Sequence, residues 1–222
     1  MVDMNKLYIS NVNVWAPGLY DDKENWKAWK DGKMEITCVK ESPKLEYTDP
    51  LFRRRLSQIT KMTVHVIHLL LENAKIDSEI KINFISLRGE IEREFTINKS
   101  LIEDETILPA GFSLSVFNTP VASATLAFGL KGGYTVILPS KNNFDSALKN
   151  ALAPVLAGTE KQIMLVYADE LVPDCYGEKR PDKNIPLAFS ALVSTEPLDE
   201  NSSTLSLDSI YISPVDFLKD VL

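Results

Sequence analysis

Ser140 and Lys141 stand where this chain could carry a nucleophile. They follow the short apolar run Tyr134, Thr135, Val136, Ile137 and Leu138, closed by Pro139. They precede Asn142, Asn143 and Asp145, side chains able to cap a helix in which Ala147, Leu148, Ala151 and Leu152 recur at helical spacing. A residue at such a strand-to-helix elbow is presented at the positive end of a helix, where an anion is stabilised, and enzymes of acyl transfer use that position for a nucleophile. A lysine beside a serine can activate the hydroxyl when its own pKa is lowered. The run Pro139-Ser140-Lys141-Asn142-Asn143 does not match G-x-S-x-G, however, and no histidine partner is evident.

The other reactive side chains invite blander readings. His65 and His68 form an i, i+3 pair without a third ligand nearby in sequence, so a solvated or interface-facing pair is expected rather than a metal site. Cys38 and Cys175 lie far apart with no C-x-x-C spacing and read as inert thiols, not a disulfide. Asp169 and Glu170 are adjacent carboxylates; with no nucleophile or metal cluster to serve, helix-capping or loop charges are expected of them. Arg53, Arg54 and Arg55 could face an acidic carrier protein, although such runs are ordinarily solvated.

The elements that would position these groups alternate between strand and helix. Residues 7–14 read as a strand stopped by Trp15-Ala16-Pro17-Gly18, and Asp21 or Asp22 then caps a short helix with Trp26 and Trp29 on one face. Residues 34–40 read as a strand. Asp49-Pro50 opens a helix to about residue 75, with Leu56, Ile59, Met62, Val66, Ile67, Leu70 and Ala74 as its apolar stripe. A strand over 80–87, a helix or excursion over 90–105 and an irregular apolar segment over 108–117 follow. Asn118, Thr119 and Pro120 then open a buried helix that ends in Gly129 to Gly133. Beyond the elbow come a helix over 144–156, a strand over 162–167, a buried strand over 187–194, a possible strand over 206–213 and a short terminal helix. This alternation predicts a three-layer αβα domain with helices on both faces of a mixed sheet.

Composition narrows the class. A chain of 222 residues with 45% apolar and 25% charged residues describes a soluble globular protein. At this size it buries roughly 70 to 75% of its unfolded surface. A net charge of −7 argues against a general nucleic-acid binder. No apolar run approaches the ~18 residues of a membrane span. The N-terminus lacks a signal-peptide pattern, so a cytoplasmic location is expected.

The succession of Asn118, a small-residue helix, Gly129-Leu130-Lys131-Gly132, a strand and an elbow resembles the β-ketoacyl synthases of the thiolase superfamily. Those enzymes typically read Asn, a small-residue helix, a Gly-Leu-Arg-Gly-like turn, a strand, and then Ala-Cys-x-x-Gly, whose Cys takes the acyl group. The likeness runs over roughly residues 6–195 and is most specific from Asn118 to Ala147. Ser140 falls on the nucleophile position, and the following glycine is also absent. A complete ketosynthase has a second, similar half that supplies the catalytic histidines, whereas His65 and His68 lie on the early helix. The resemblance therefore implies the N-terminal half of a thiolase-fold ketosynthase, with 1–222 as one domain and no thiol-histidine machinery.

The chain is most similar to short β-ketoacyl synthase N-terminal-like proteins found with aryl-polyene-type enzymes, which look like chain-length factors. That likeness implies a noncatalytic pseudoenzyme that heterodimerises with a full-length ketosynthase in polyene, polyketide or fatty-acid-type biosynthesis and meets an acyl carrier protein through the complex. Phe112, Leu114, Phe117, Asn118 and Phe128 would line the acyl pocket or the interface. Residues 134–138 would pair antiparallel with their counterpart across the two-fold. No cofactor, metal, nucleic acid or membrane is implied. The alternative is a serine-dependent acyltransferase or hydrolase using Ser140.

Overall fold

A computed structural model of the protein describes residues 6–106, 109–139, 143–176 and 185–222. Six strands form one mixed sheet: β1 (Leu7–Trp15), β2 (Lys81–Ile85), β3 (Tyr134–Ile137), β4 (Gln162–Asp169), β5 (Leu187–Ser194) and β6 (Ser203–Leu205), in the spatial order β3-β2-β4-β5-β1-β6. β2 pairs in parallel with both β3 and β4, while β5 and β6 join the rest antiparallel. The central strands read as continuous apolar runs because both faces are covered; every residue of β5 is buried.

The helices are α1 (Lys23–Lys30), α2 (Pro50–Arg53), α3 (Gln58–Asn73), α4 (Ile91–Asp104), α5 (Pro109–Phe112), α6 (Thr119–Phe128), α7 (Phe144–Leu156) and α8 (Pro214–Val221). On one face of the sheet, Trp26 and Trp29 of α1 join Phe144, Leu148 and Leu152 of α7 and Phe217 of α8. On the other, Ile59, Met62, Val66 and Leu70 of α3 pack with Val121 and Ala124 of α6. This is the expected three-layer αβα arrangement. Buried polar groups tie the layers together: Ser190 Oγ donates to the Val66 carbonyl at 2.6 Å, and Asn83 Nδ2 to that of Ala151 at 2.6 Å.

Several expectations from the sequence are corrected. Residues 34–40 form no strand and pair with none among the described residues; the segment is held by Met34 and Ile36 on the core and by the Thr37 N–H bonded to the Pro17 carbonyl. The single helix expected from Pro50 divides into α2 and α3, since Ser57 caps a new start by accepting from the Thr60 N–H at 3.2 Å. Asn118 holds the N-cap position of α6 but makes no side-chain cap; its amide donates to the Tyr134 hydroxyl at 3.0 Å. That helix is not fully buried either, as Leu126 is 82% exposed. The last strand is β6, and residues 206–213 are irregular, with the Tyr211 N–H bonded to Asp145.

Two glycines set the turn between α6 and β3. Gly129 ends α6 in the left-handed region, φ +66°, with open space where a Cβ would stand. At Gly132 a Cβ would collide with the carbonyl oxygens of Glu79 and Ile80, so only glycine lets the chain pass this close to the start of β2. Gly132→Ala should therefore lower stability by about 1–3 kcal/mol through overpacking against backbone. Gly129→Ala should cost only about 1 kcal/mol of left-handed strain. Urea midpoints of the two variants decide whether the close approach is real.

Candidate functional site

The carboxyl ends of parallel strands are where open α/β sheets place their sites, and here the ends of β2, β3 and β4 converge. Ser140, the candidate nucleophile position, lies outside the described residues. Its elbow is bounded by β3 and by Asn143, whose side chain accepts from the Ser146 N–H at 3.1 Å to start α7.

At the end of β4, Asp169 and Glu170 are buried, 0% and 1% exposed. Loop charge is thus the wrong reading for both, whereas helix capping holds for Glu170. Its Oε2 accepts from the Ile59 N–H at 3.2 Å and its Oε1 from the Glu92 N–H at 3.1 Å, joining the N-termini of α3 and α4. Both helix dipoles point their positive ends at this one carboxyl. Asp169 instead grips the loop after β2: Oδ1 accepts from Ser86 Oγ at 2.8 Å and from the Arg88 N–H at 3.0 Å, and Oδ2 from the Tyr167 hydroxyl at 2.7 Å. A third buried carboxyl, Glu90, accepts from Ser57 Oγ at 2.7 Å, from Thr60 Oγ1 and from Arg93 Nε at 3.2 Å.

Burial raises the pKa of all three carboxyls. Glu170 is pushed up to about 8, by burial first and then by the nearby Glu90, against the pull of its two backbone donors. Each side chain is committed to holding a loop or helix end and faces no solvent, so the cluster shapes the strand ends rather than supplying an acid or base. The adjacency of Asp169 and Glu170 after an apolar strand was its sequence signal. Glu90 carried none for its burial, because its hydroxyl partners Thr60 and Ser57 lie 30 and 33 residues away, with only Arg93 close in sequence.

The second feature is the edge of the sheet at β3. The Ile82 N–H bonds to the Gly133 carbonyl and the Ser86 N–H to that of Ile137, so the odd-numbered peptide groups of β3 face β2. Tyr134 and Val136 consequently turn their N–H and C=O groups outward, and no strand among the described residues pairs with that side. Exposed apolar side chains lie before α6 and just past β3: Phe112 at 59%, Val116 at 46%, Leu138 at 40% and Phe117 at 39%, while Leu126, at 82%, stands in the last turn of α6. Phe117 lies against Gly89, where any Cβ would meet its ring. Leu114 and Asn118 are half-buried beside them.

Phe128 is not part of this group. It sits at the other end of α6, about 15 Å along the axis, where its ring stacks on His68 at 5.8 Å. His68 in turn stacks on Tyr47 at 3.6 Å. The Tyr47 hydroxyl meets His65 Nδ1 at 3.1 Å, and His65 Nε2 meets Asp21 at 3.3 Å. Burial lowers the His65 pKa, opposed by Asp21. The two histidines are thus engaged side chains of an aromatic stack, not a solvated pair. No cluster of three or more His, Cys, Asp or Glu able to hold a metal occurs among the described residues. Cys38 and Cys175 are both free and exposed. No helix of the described residues is long and apolar enough to cross a membrane.

A mixed sheet between two helical layers, with its functional end at the close of the parallel strands, is the architecture of a thiolase-fold ketosynthase half. The model of the β-ketoacyl synthase N-terminal domain matches residues 26–213, and the chain belongs to that family. It is similar to a chain of the complex of the ketosynthase ApeO with its chain length factor ApeC from Xenorhabdus doucetiae, at 26% identity and a TM-score of 0.73 over 85% of this chain and 79% of that one. The near-equal coverage makes the two chains similar in length. The ishigamide ketosynthase/chain length factor follows at 11% identity and TM-score 0.68, covering 88% of this chain and 63% of that one. A type II polyketide acyl-carrier protein complex with its ketosynthase, AntDE:AntF, matches at 13% and 0.65 over 86% and 63%. At those identities the last two show the fold alone. A comparison with curated proteins finds no match.

The raised carboxyls carry a pH prediction. A carboxyl whose folded pKa exceeds its ordinary value, about 4.3 for Glu, holds its proton more firmly in the fold. Its contribution is complete below that value and is lost as pH rises toward about 8. Stability of the protein should therefore fall between pH 5 and pH 8, an interval that about spans the shift. Glu170→Gln should flatten that slope in thermal melts; equal slopes in both proteins would show that Glu170 is ionised throughout.

Proposed function

We propose that this chain is a noncatalytic, chain-length-factor-type subunit that pairs with a full-length β-ketoacyl synthase and shapes its acyl pocket. The observation that carries the reading is the outward-facing edge of β3, which no strand among the described residues pairs, with exposed Leu138 just past its end. An open apolar edge strand is an aggregation hazard unless a partner covers it. A partner strand laid antiparallel along residues 134–138 pairs the free N–H and C=O groups of Tyr134 and Val136 and buries the flanking side chains. Similarity to a chain of a ketosynthase–chain length factor complex supports the choice of partner.

The exposed Phe112 and Phe117, with Leu114, lie at the end of α6 nearest the strand termini and form the pocket-facing group. Asn118 orders the junction through Tyr134. Phe128 keeps a packing role beside His68. The acyl carrier protein meets the subunit through the ketosynthase complex, and the work is done in the cytoplasm as part of polyene or fatty-acid-type assembly. The chain contains no cysteine at the elbow, its two being Cys38 and Cys175, and its two histidines sit on α3. The isolated subunit therefore forms no acyl-enzyme.

Val136→Pro removes one outward N–H while sparing the bonds to β2, a substitution that edge strands tolerate. Co-expressed with a ketosynthase from the same gene cluster, this variant and Leu126→Glu should elute as separate subunits in size-exclusion chromatography, while the unaltered pair co-elutes. Phe112→Ala or Phe117→Ala should leave the complex intact and lengthen its products by mass spectrometry. Intact complex from both edge variants would remove β3 as the interface. An acyl adduct on the isolated chain, lost in Ser140→Ala, would turn the assignment toward an acyltransferase.

A further inference from the structure

The groove between α1, the second half of β1 and α3 has no part in the reading above and lies across the sheet from β3. It encloses about 440 Å3, within the range of small-ligand sites. It exists because β6 covers only Leu7–Ile9 of β1. Past Ser10 the strand bulges, with Asn11 in the left-handed region at φ 51°, and no strand among the described residues lies along its outer side from there to Trp15. The walls are apolar: Val12 and Val14 from β1, Trp26 from α1 and Leu69 from α3, with Leu222 at one end. Trp26 is fixed in place by its indole N–H, which donates to the Tyr20 carbonyl at 2.8 Å.

The rim is cationic. Lys23, Lys27 and Lys30 line it at i, i+4 and i+7 of α1, one face of the helix over about 10 Å. All three are exposed, and none forms an ion pair among the described residues. Asp21, the acidic residue of the lining, is bonded to His65 at 3.3 Å, and Asn13 accepts from Asn73 at 2.8 Å. An apolar trough with three ammonium groups along one lip, of which Lys27 and Lys30 feel Asp31 without forming an ion pair with it, suits a ligand with the same two parts. Lysines beside an open strand also discourage another strand from docking, which disfavours an extended peptide as occupant.

We propose that this groove binds an aliphatic carboxylate, its chain against Val12, Val14, Trp26 and Leu69 and its head among Lys23, Lys27 and Lys30. The site does not depend on the partner proposed for β3. Isothermal titration of the full chain with decanoate below its micellar concentration tests it, with decanol and decyltrimethylammonium as comparison probes. Decanoate should bind saturably at one site, decanol about tenfold or more weakly for want of the charged head, and the cation not measurably. Lys27→Gln/Lys30→Gln, both on the surface, should weaken decanoate by about tenfold with an unchanged melt. Leu69→Asp should abolish binding. The proposal is overturned if decanoate does not saturate, if the cation binds equally well, or if the lysine variant binds as tightly as the unaltered protein.

Discussion

The geometry of the strand ends depends on one carboxyl at the close of β4. Glu170 is reached by backbone N–H groups of two helices that start from different strands' connections, so its position couples α3 to α4. Asp169, one residue earlier, holds the loop leaving β2. Between them these adjacent side chains set where the β2 loop and two helix ends stand relative to the sheet. Leaving buried helix N–H groups without acceptors is costly. The expense of burying acidic groups is accepted here because they replace water for six backbone and hydroxyl donors. Burial is what raises the pKa values of Glu170 and Glu90, and for Glu170 the nearby Glu90 adds to it.

That scaffold leaves the two margins of the sheet in different states. At β3 the polar backbone edge is unpaired among the described residues, an arrangement suited to strand pairing with another subunit. Along the second half of β1 the edge is bulged and overlooked by lysines, features that deter strand pairing and leave a trough instead. On the two proposals made above, the same sheet would offer one margin for a protein and one for a smaller amphiphile. The aromatic stack of Tyr47, His68 and Phe128 stands between α3 and the end of α6, away from the strand termini. Its position explains why the phenylalanines of this region do not form one group.

Much of this was legible in the chain itself. The αβα layering, the limits of α7, the glycine turn before β3 and the family all follow from local spacing: apolar period, caps and glycine positions act within a few residues. The Asn118 to Gly132 stretch, with the strand after it, carried the ketosynthase likeness because each piece needs only its neighbours. Local rules misled where a partner from elsewhere decided the outcome. Residues 34–40 have strand composition but pair with no strand among the described residues. Asn118 has cap chemistry but finds the Tyr134 hydroxyl instead.

By itself, then, the sequence determined which segments are strands and helices over most of the sheet, that Ser140 and not a cysteine follows the run 134–139, and that the only histidines precede Ser140 by some seventy residues. The tertiary structure alone decided that β3 is an edge, that Asp169 and Glu170 are buried anchors, that His65 and His68 are occupied, and that Phe128 is separated from Phe112 and Phe117. The physical reason is range. Periodicity and capping act across one or two turns of chain, whereas the burial of a charge joins groups 111 residues apart and the strand order joins residues as distant as Leu7 and Leu205.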